Sequence, residues 1–116
     1  MGHDIHITRR RHHWFDPEGP EIGFEEWRAA VAADPVLELV AYGEGEQTEW
    51  WAELFDPDRG YREGMWWRDG KASVKHPSRR FRARMHAVAQ ALGARVQGDD
   101  CEYYDENGDQ IGPDED

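Results

Sequence analysis

Residues 48–75 read TEWWAELFDPDRGYREGMWWRDGKASVK, and the punctuation of that stretch decides the fold. Asp69-Gly70 stands between two runs of strand formers, Tyr61–Arg68 and Lys71–Lys75, which is a strong short-range hairpin signal. The run Asp56-Pro57-Asp58-Arg59-Gly60 is built from turn residues and separates Tyr61–Arg68 from an earlier strand at residues 48–55. Strands joined by turns this short run antiparallel, because a parallel connection needs a crossover.

Two Trp doublets lie inside this meander. Adjacent side chains on a strand point to opposite faces, so neither doublet can bury both rings on a one-sided sheet. In the first strand Trp50, Ala52 and Leu54 share the apolar phase, and Glu49, Trp51 and Glu53 share the other. Pairing Arg68 with Lys71 groups Met65, Trp67, Ala72 and Val74, and sets Trp66 with Ser73 on the opposite face. Trp50 and Trp67 are therefore expected in the core. Trp51 and Trp66 are expected to be more exposed, unless the polar loop at residues 9–20, with its Trp14, covers them.

Working outward, residues 3–8 alternate Ile5 and Ile7 with His6 and Thr8, the period of a half-buried strand. Phe24–Ala33 places Phe24, Trp27 and Val31 on one helical face, with Glu25 and Glu26 in a first turn that favours acids. Pro35 ends that helix. Residues 36–42 form a further strand. Pro77 opens a second helix, whose stripe is Phe81, Met85, Val88 and Leu92 and whose terminator is Gly93. Residues 94–97 form a short strand, and residues 102–111 a last hairpin around Asn107-Gly108. The order β-α-β-β-β-β-α-β-β is that of an α+β fold, a mostly antiparallel sheet with two helices on one face. Residues 1–111 make one domain, and residues 112–116 an acidic tail expected to fray.

A chain of 116 residues fits a single core. Six Trp, four Tyr and four Phe outweigh the 34% charged content as an indicator of order, since disordered chains are poor in aromatics. The lone Cys101 excludes an internal disulfide and a multi-Cys zinc site. No apolar run reaches the length of a membrane span or a signal core, so a cytoplasmic protein is expected.

Charge is sorted into blocks. Residues 34–58 hold eight acids and no Lys or Arg, residues 59–95 hold ten bases and two acids, and residues 96–116 hold nine acids and no base. The net charge of −11 disfavours direct nucleic-acid binding and favours a basic partner. Trp51 and Trp66 amid Glu49 and Glu53 resemble an interface anchor for such a partner. Arg79, Arg80, Arg82 and Arg84 crowd the start of the second helix, against its dipole, with His86 on the same helix. An anion bound there would offset the charge, making a phosphate- or anion-ligand protein or enzyme the rival reading. Internal pairing, especially with Asp99, Asp100 and Glu102, would offset it equally well. A homodimer built on Trp51 and Trp66 is a third reading. His3 and His6 point to opposite faces of a strand and do not converge on a metal. Asp105-x-Asn107-x-Asp109 lacks the glycine of a calcium loop and reads as a turn. No catalytic motif, cofactor fingerprint or metal-ligand spacing is present, which leans away from an enzyme.

Several stretches together resemble a group of small acidic bacterial proteins. They are Asp4-Ile5-His6-Ile7-Thr8-Arg9 with Trp14, Phe24-Glu25-Glu26-Trp27, Arg68-Asp69-Gly70-Lys71, Lys75-His76-Pro77, and Met85-His86-Ala87 with the segment at residues 92–100. They cover about half the chain. Proteins of this kind look like immunity proteins of bacterial toxin systems. The resemblance implies a non-enzymatic, cytoplasmic binding protein that masks a basic toxin. The Trp doublets and the Arg-rich helix depart from the group.

Overall fold

The computed structural model describes residues 4–10, 20–58, 60–68 and 70–111. Six strands form one sheet: β1 (Asp4–Thr8), β2 (Glu38–Tyr42), β3 (Glu49–Asp56), β4 (Tyr61–Arg68), β5 (Lys71–Lys75) and β6 (Arg95–Gly98). Their spatial order is β2-β3-β4-β5-β1-β6, and every pairing is antiparallel. The helices are α1 (Phe24–Ala33) and α2 (Arg79–Ala91). The expected α+β fold is present, with the hairpin register read from Asp69-Gly70: Arg68 lies opposite Lys71, and Trp66 opposite Ser73.

β1 is inserted between β5 and β6 and is antiparallel to both, so β5 and β6 run in the same direction. Neighbouring parallel-running strands need a crossover, and α2 supplies it. α1 makes the longer crossing from β1 to the edge strand β2. Both helices cover one face. Trp27 and Val31 of α1, and Phe81, Met85 and Val88 of α2, join Ile5, Ile7, Ala52, Met65, Val74 and Val96 of the sheet in one buried cluster.

Helix starts and stops follow local chemistry. Ser78 is the N-cap of α2: its hydroxyl accepts the Phe81 N–H at 3.1 Å. Asp34 ends α1. One of its carboxylate oxygens accepts the N–H groups of Val36 and Leu37, which delays β2 to Glu38, two residues later than residue 36.

The last hairpin is not formed as a ladder. Residues 102–111 turn back at Asn107-Gly108, with the Asp105 N–H donating to the Asp109 carbonyl and the Ile111 N–H to that of Tyr103, but the pairing stops at isolated bridges, Gln97 to Tyr103 and Tyr104 to Gln110. The Asp105 carboxylate accepts the N–H groups of Asn107 and Asp109, a local turn that competes with strand pairing. The segment packs on α2 instead. Gly108, at φ +80, lies so close that a side chain would run into the Arg79 carbonyl. The tail at residues 112–116 and the Trp14 loop, residues 11–19, lie outside the described residues. Among the described residues no helix is long and apolar enough to cross a membrane.

Candidate functional site

Residues opposite one another in an antiparallel ladder share a face. On the helix-free face this puts Val40, Trp51, Trp66, Ser73, His6 and Gln97 in one row across all six strands. The row has two halves. On β2 to β4 it is aromatic and framed by acids. On β5, β1 and β6 it is polar and buried.

In the aromatic half, the Trp51 and Trp66 rings lie 5.1 Å apart, tilted by 40°. Gly64 makes room for them, because a Cβ there would stand 3.0 Å from Trp51 Cε3. Along the strands, Tyr42 faces Glu49 on one side of the pair and Glu38 faces Glu53 on the other. Trp51 Nε1 donates to Glu49 Oε1 at 3.3 Å, and the Tyr42 hydroxyl donates to Glu53 Oε2 at 2.6 Å. That bond to Glu53 raises the Tyr42 pKa above its ordinary value. Arg62 bridges Glu38 at 3.1 Å and Glu53 at 3.6 Å. The structure thus brings Trp51, Trp66, Glu49 and Glu53 onto one patch, and adds Tyr42, 47% exposed, as a rim.

Trp50 and Trp67 take the opposite phase, as read from the sequence, but are not deep core. All four Trp of the doublets are half-buried. Trp50 and Trp67 lie at the end of the sheet, beside Phe24 at the first turn of α1, with ring centroids 6.3 and 5.6 Å from it. The helix begins there, so it covers these rings from one side only. Trp67 Nε1 donates to the Ile22 carbonyl at 2.7 Å. A cleft of about 800 Å³ wraps this sheet end and is lined by both doublets.

The Arg-rich start of α2 is balanced internally. The Glu63 carboxylate accepts both the Ser78 N–H and its hydroxyl, each at 2.6 Å, and so fills the position an external anion would take. Arg79 pairs with Asp109 at 2.8 Å. Arg82 donates to the carbonyls of Gly108 and Pro77 and lies 5.2 Å from the Tyr104 ring centre. Arg84 pairs with Asp34. Burial works against the Asp34 carboxylate, but the Arg84 bond and the two backbone N–H groups outweigh it and hold its pKa below the usual range. Arg80 is exposed and makes no ion pair among the described residues. The arginines therefore meet Asp34 and Asp109, not Asp99 to Glu102. The reason is that Glu102 turns to the Asp100 N–H and the Tyr104 hydroxyl, while Asp99 turns to β1. The Tyr104 pKa is pushed up to about 12 by burial and by that bond to Glu102. His86 is half-buried on the same helix, near Asp105, whose carboxylate is held below the usual range chiefly by the backbone N–H of Asp109 and less by His86.

In the polar half, His6 Nδ1 meets Ser73 Oγ at 2.7 Å and Nε2 meets Asp99 Oδ1 at 2.9 Å. An ionised carboxylate only accepts, so Nε2 carries the proton and Ser73 donates into Nδ1. Burial lowers the His6 pKa, and Asp99 only partly offsets it. The order hydroxyl–imidazole–carboxylate is that of a nucleophile relay. With His6 2% and Ser73 8% exposed, however, it sits closed to a substrate and locks β1 between its neighbours. The Gln97 amide beside it is fully buried without a partner among the described residues. Among the described residues no three metal-ligating side chains converge.

Sequence reasoning missed three contributors. Tyr42 could have been found by carrying the strand alternation through Glu38 and Val40. Gly64 was visible as an isolated strand glycine, a sign of close approach. Glu63 gave no signal, because its partner Ser78 is brought to it only by the fold. No family model matches the chain, and comparison with curated proteins and solved structures finds no match either.

Proposed function

We propose that this protein is a non-enzymatic binding protein, immunity-like, that masks a basic protein in the cytoplasm. The observation that carries the reading is the helix-free patch of β2 to β4. There a Trp pair in tilted contact is framed by Glu38, Glu49 and Glu53 in the stretch of eight acids without a base. Large aromatic rings supply contact area at low entropic cost, and the surrounding carboxylates steer and orient a cationic surface. The anion-ligand reading has less support, since Glu63 occupies the start of α2 and Arg79 and Arg84 are paired.

The test is capture from the cell of origin with the wild-type chain and with a Trp51→Ala/Trp66→Ala variant, followed by titration of each captured protein after purification. The expected result is a basic partner whose affinity falls at least ~30-fold in the double variant, the scale of a hot-spot loss. A partner bound equally well by both chains overturns the reading.

A further inference from the structure

We infer that the notch between Tyr42 and Trp51 receives one arginine guanidinium of the basic partner. The inference rests on the binding reading above and names the group that reading requires. The notch has a volume of about 340 Å³ and is lined by Tyr42, Glu49, Trp51 and Glu53. Two aromatic and two acidic side chains line it, and no cation is among the lining residues. A cation over an aromatic ring is held by the ring quadrupole, and more strongly when water is excluded.

The two carboxylates do different work. Glu53 is engaged, with one oxygen accepting from the Tyr42 hydroxyl and the other 3.6 Å from Arg62. It is a positioning residue that holds Tyr42 across the row of Val40. Glu49 accepts from Trp51 Nε1 through Oε1, and its other oxygen has no partner among the described residues. That oxygen, beside the indole and opposite Tyr42, is where an incoming cation completes its pairing.

Arginine fits better than lysine. Its plane stacks on an indole while its N–H fork reaches a carboxylate, which a compact ammonium cannot do at once. The chain itself uses this chemistry, with Arg28 5.4 Å from the Trp50 ring centre and Arg82 5.2 Å from that of Tyr104. A second copy of the chain is a poor occupant, because residues 34–58 of both copies would meet with eight acids each and no base.

The experiment follows the Trp51 indole N–H by NMR while N-acetyl-arginine amide is added, with N-acetyl-citrulline amide as the uncharged isostere. The expected result is a saturable shift for arginine and binding at least ~10-fold weaker for citrulline. Glu49→Gln, which leaves the fold in place, is expected to weaken arginine binding by a similar ~10-fold. Tyr42→Phe, which keeps the ring but frees it from Glu53, is expected to give a smaller loss. Equal binding of the two probes, or an unchanged Glu49→Gln, overturns the inference. A purified partner that loses affinity with Trp51→Ala/Trp66→Ala but not with Glu49→Gln overturns the notch and leaves the binding reading standing. Arginine binding with no basic protein covering the face overturns the protein source and assigns the notch to a free organic cation.

Discussion

Gly64 fits under the Trp51 ring because it lacks a Cβ, which would lie 3.0 Å from Trp51 Cε3 and 3.4 Å from Glu53 Cγ. Its backbone is extended, so the constraint is space rather than φ. Gly64→Ala must move the ring by a few tenths of an ångström. The fold is expected to survive with a loss of about 1 kcal/mol, the low end of overpacking costs. The near-ultraviolet circular dichroism of the Trp pair is expected to change, while the far-ultraviolet spectrum stays constant. An unchanged aromatic signal would show that the ring does not rest on this position. His6 gives a second residue-scale prediction. Its pKa is below 6.5 in the fold because burial disfavours its charged form, with Asp99 and Asp4 pulling the other way and Lys71 adding to the shift. The unfolded chain then binds more protons below pH 6.5, so stability is full above that value and falls as the pH drops toward the folded pKa. Denaturant midpoints from about pH 8 to about pH 5 are expected to decline in the wild type. The decline is expected to be flatter in His6→Gln, although that variant is less stable throughout. The burial and pairing of His6 were hidden in the sequence, because both its partners lie more than sixty residues away, Ser73 by 67 and Asp99 by 93.

At the scale of elements, the charged contacts differ in worth by how far they are withdrawn from water. Asp34 and Arg84 join the end of α1 to the middle of α2, with side chains 4% and 28% exposed. Arg79 and Asp109 join the start of α2 to the 105–109 turn, with side chains 65% and 50% exposed. Asp34→Ala strands a partly buried guanidinium and is expected to cost ~3 kcal/mol. Arg79→Ala is expected to cost at most ~1 kcal/mol. Equal losses in thermal or urea unfolding would contradict this ranking. The elements themselves were legible where turn chemistry and periodicity agreed: α1 matches its expected bounds, and so do β4 and β5. The last hairpin, expected from Asn107-Gly108, turns where expected but pairs only briefly, through Tyr104 and Gln110. What decided the outcome was tertiary, the close approach of Gly108 to α2. For the same reason the four arginines could be seen to need carboxylates, but the identity of those carboxylates depended on packing.

Across the whole molecule, the sorted charge gives the patch an electrostatic environment that acts before contact. Association with a basic partner is expected to slow several-fold between low and high salt, because the Debye length is about 8 Å at physiological ionic strength and about 3 Å at 1 M. Stopped-flow mixing reads this directly, and a salt-independent association rate would remove steering from the mechanism. Sequence pattern revealed the meander and the face carrying Trp51 and Trp66, since both depend on neighbours in the chain. It did not reveal that β1 sits second from one end of the six-stranded sheet, between β5 and β6. That placement has a price in time. As the chain leaves the ribosome, β2 to β5 can zip one against the next, each turn closing a short loop at little entropic cost. Ile5 and Ile7, made earlier, have no strand to pair with until β5, with Val74 and Ala72 opposite them, has been synthesised, and β6 can join only once β1 is in place. Ile7→Val is therefore expected to speed unfolding and leave the folding rate almost unchanged, whereas Met65→Ala is expected to slow folding. A strand translated ahead of the meander thus waits for it, and until β1 docks, a nascent chain displays the open edge of β5.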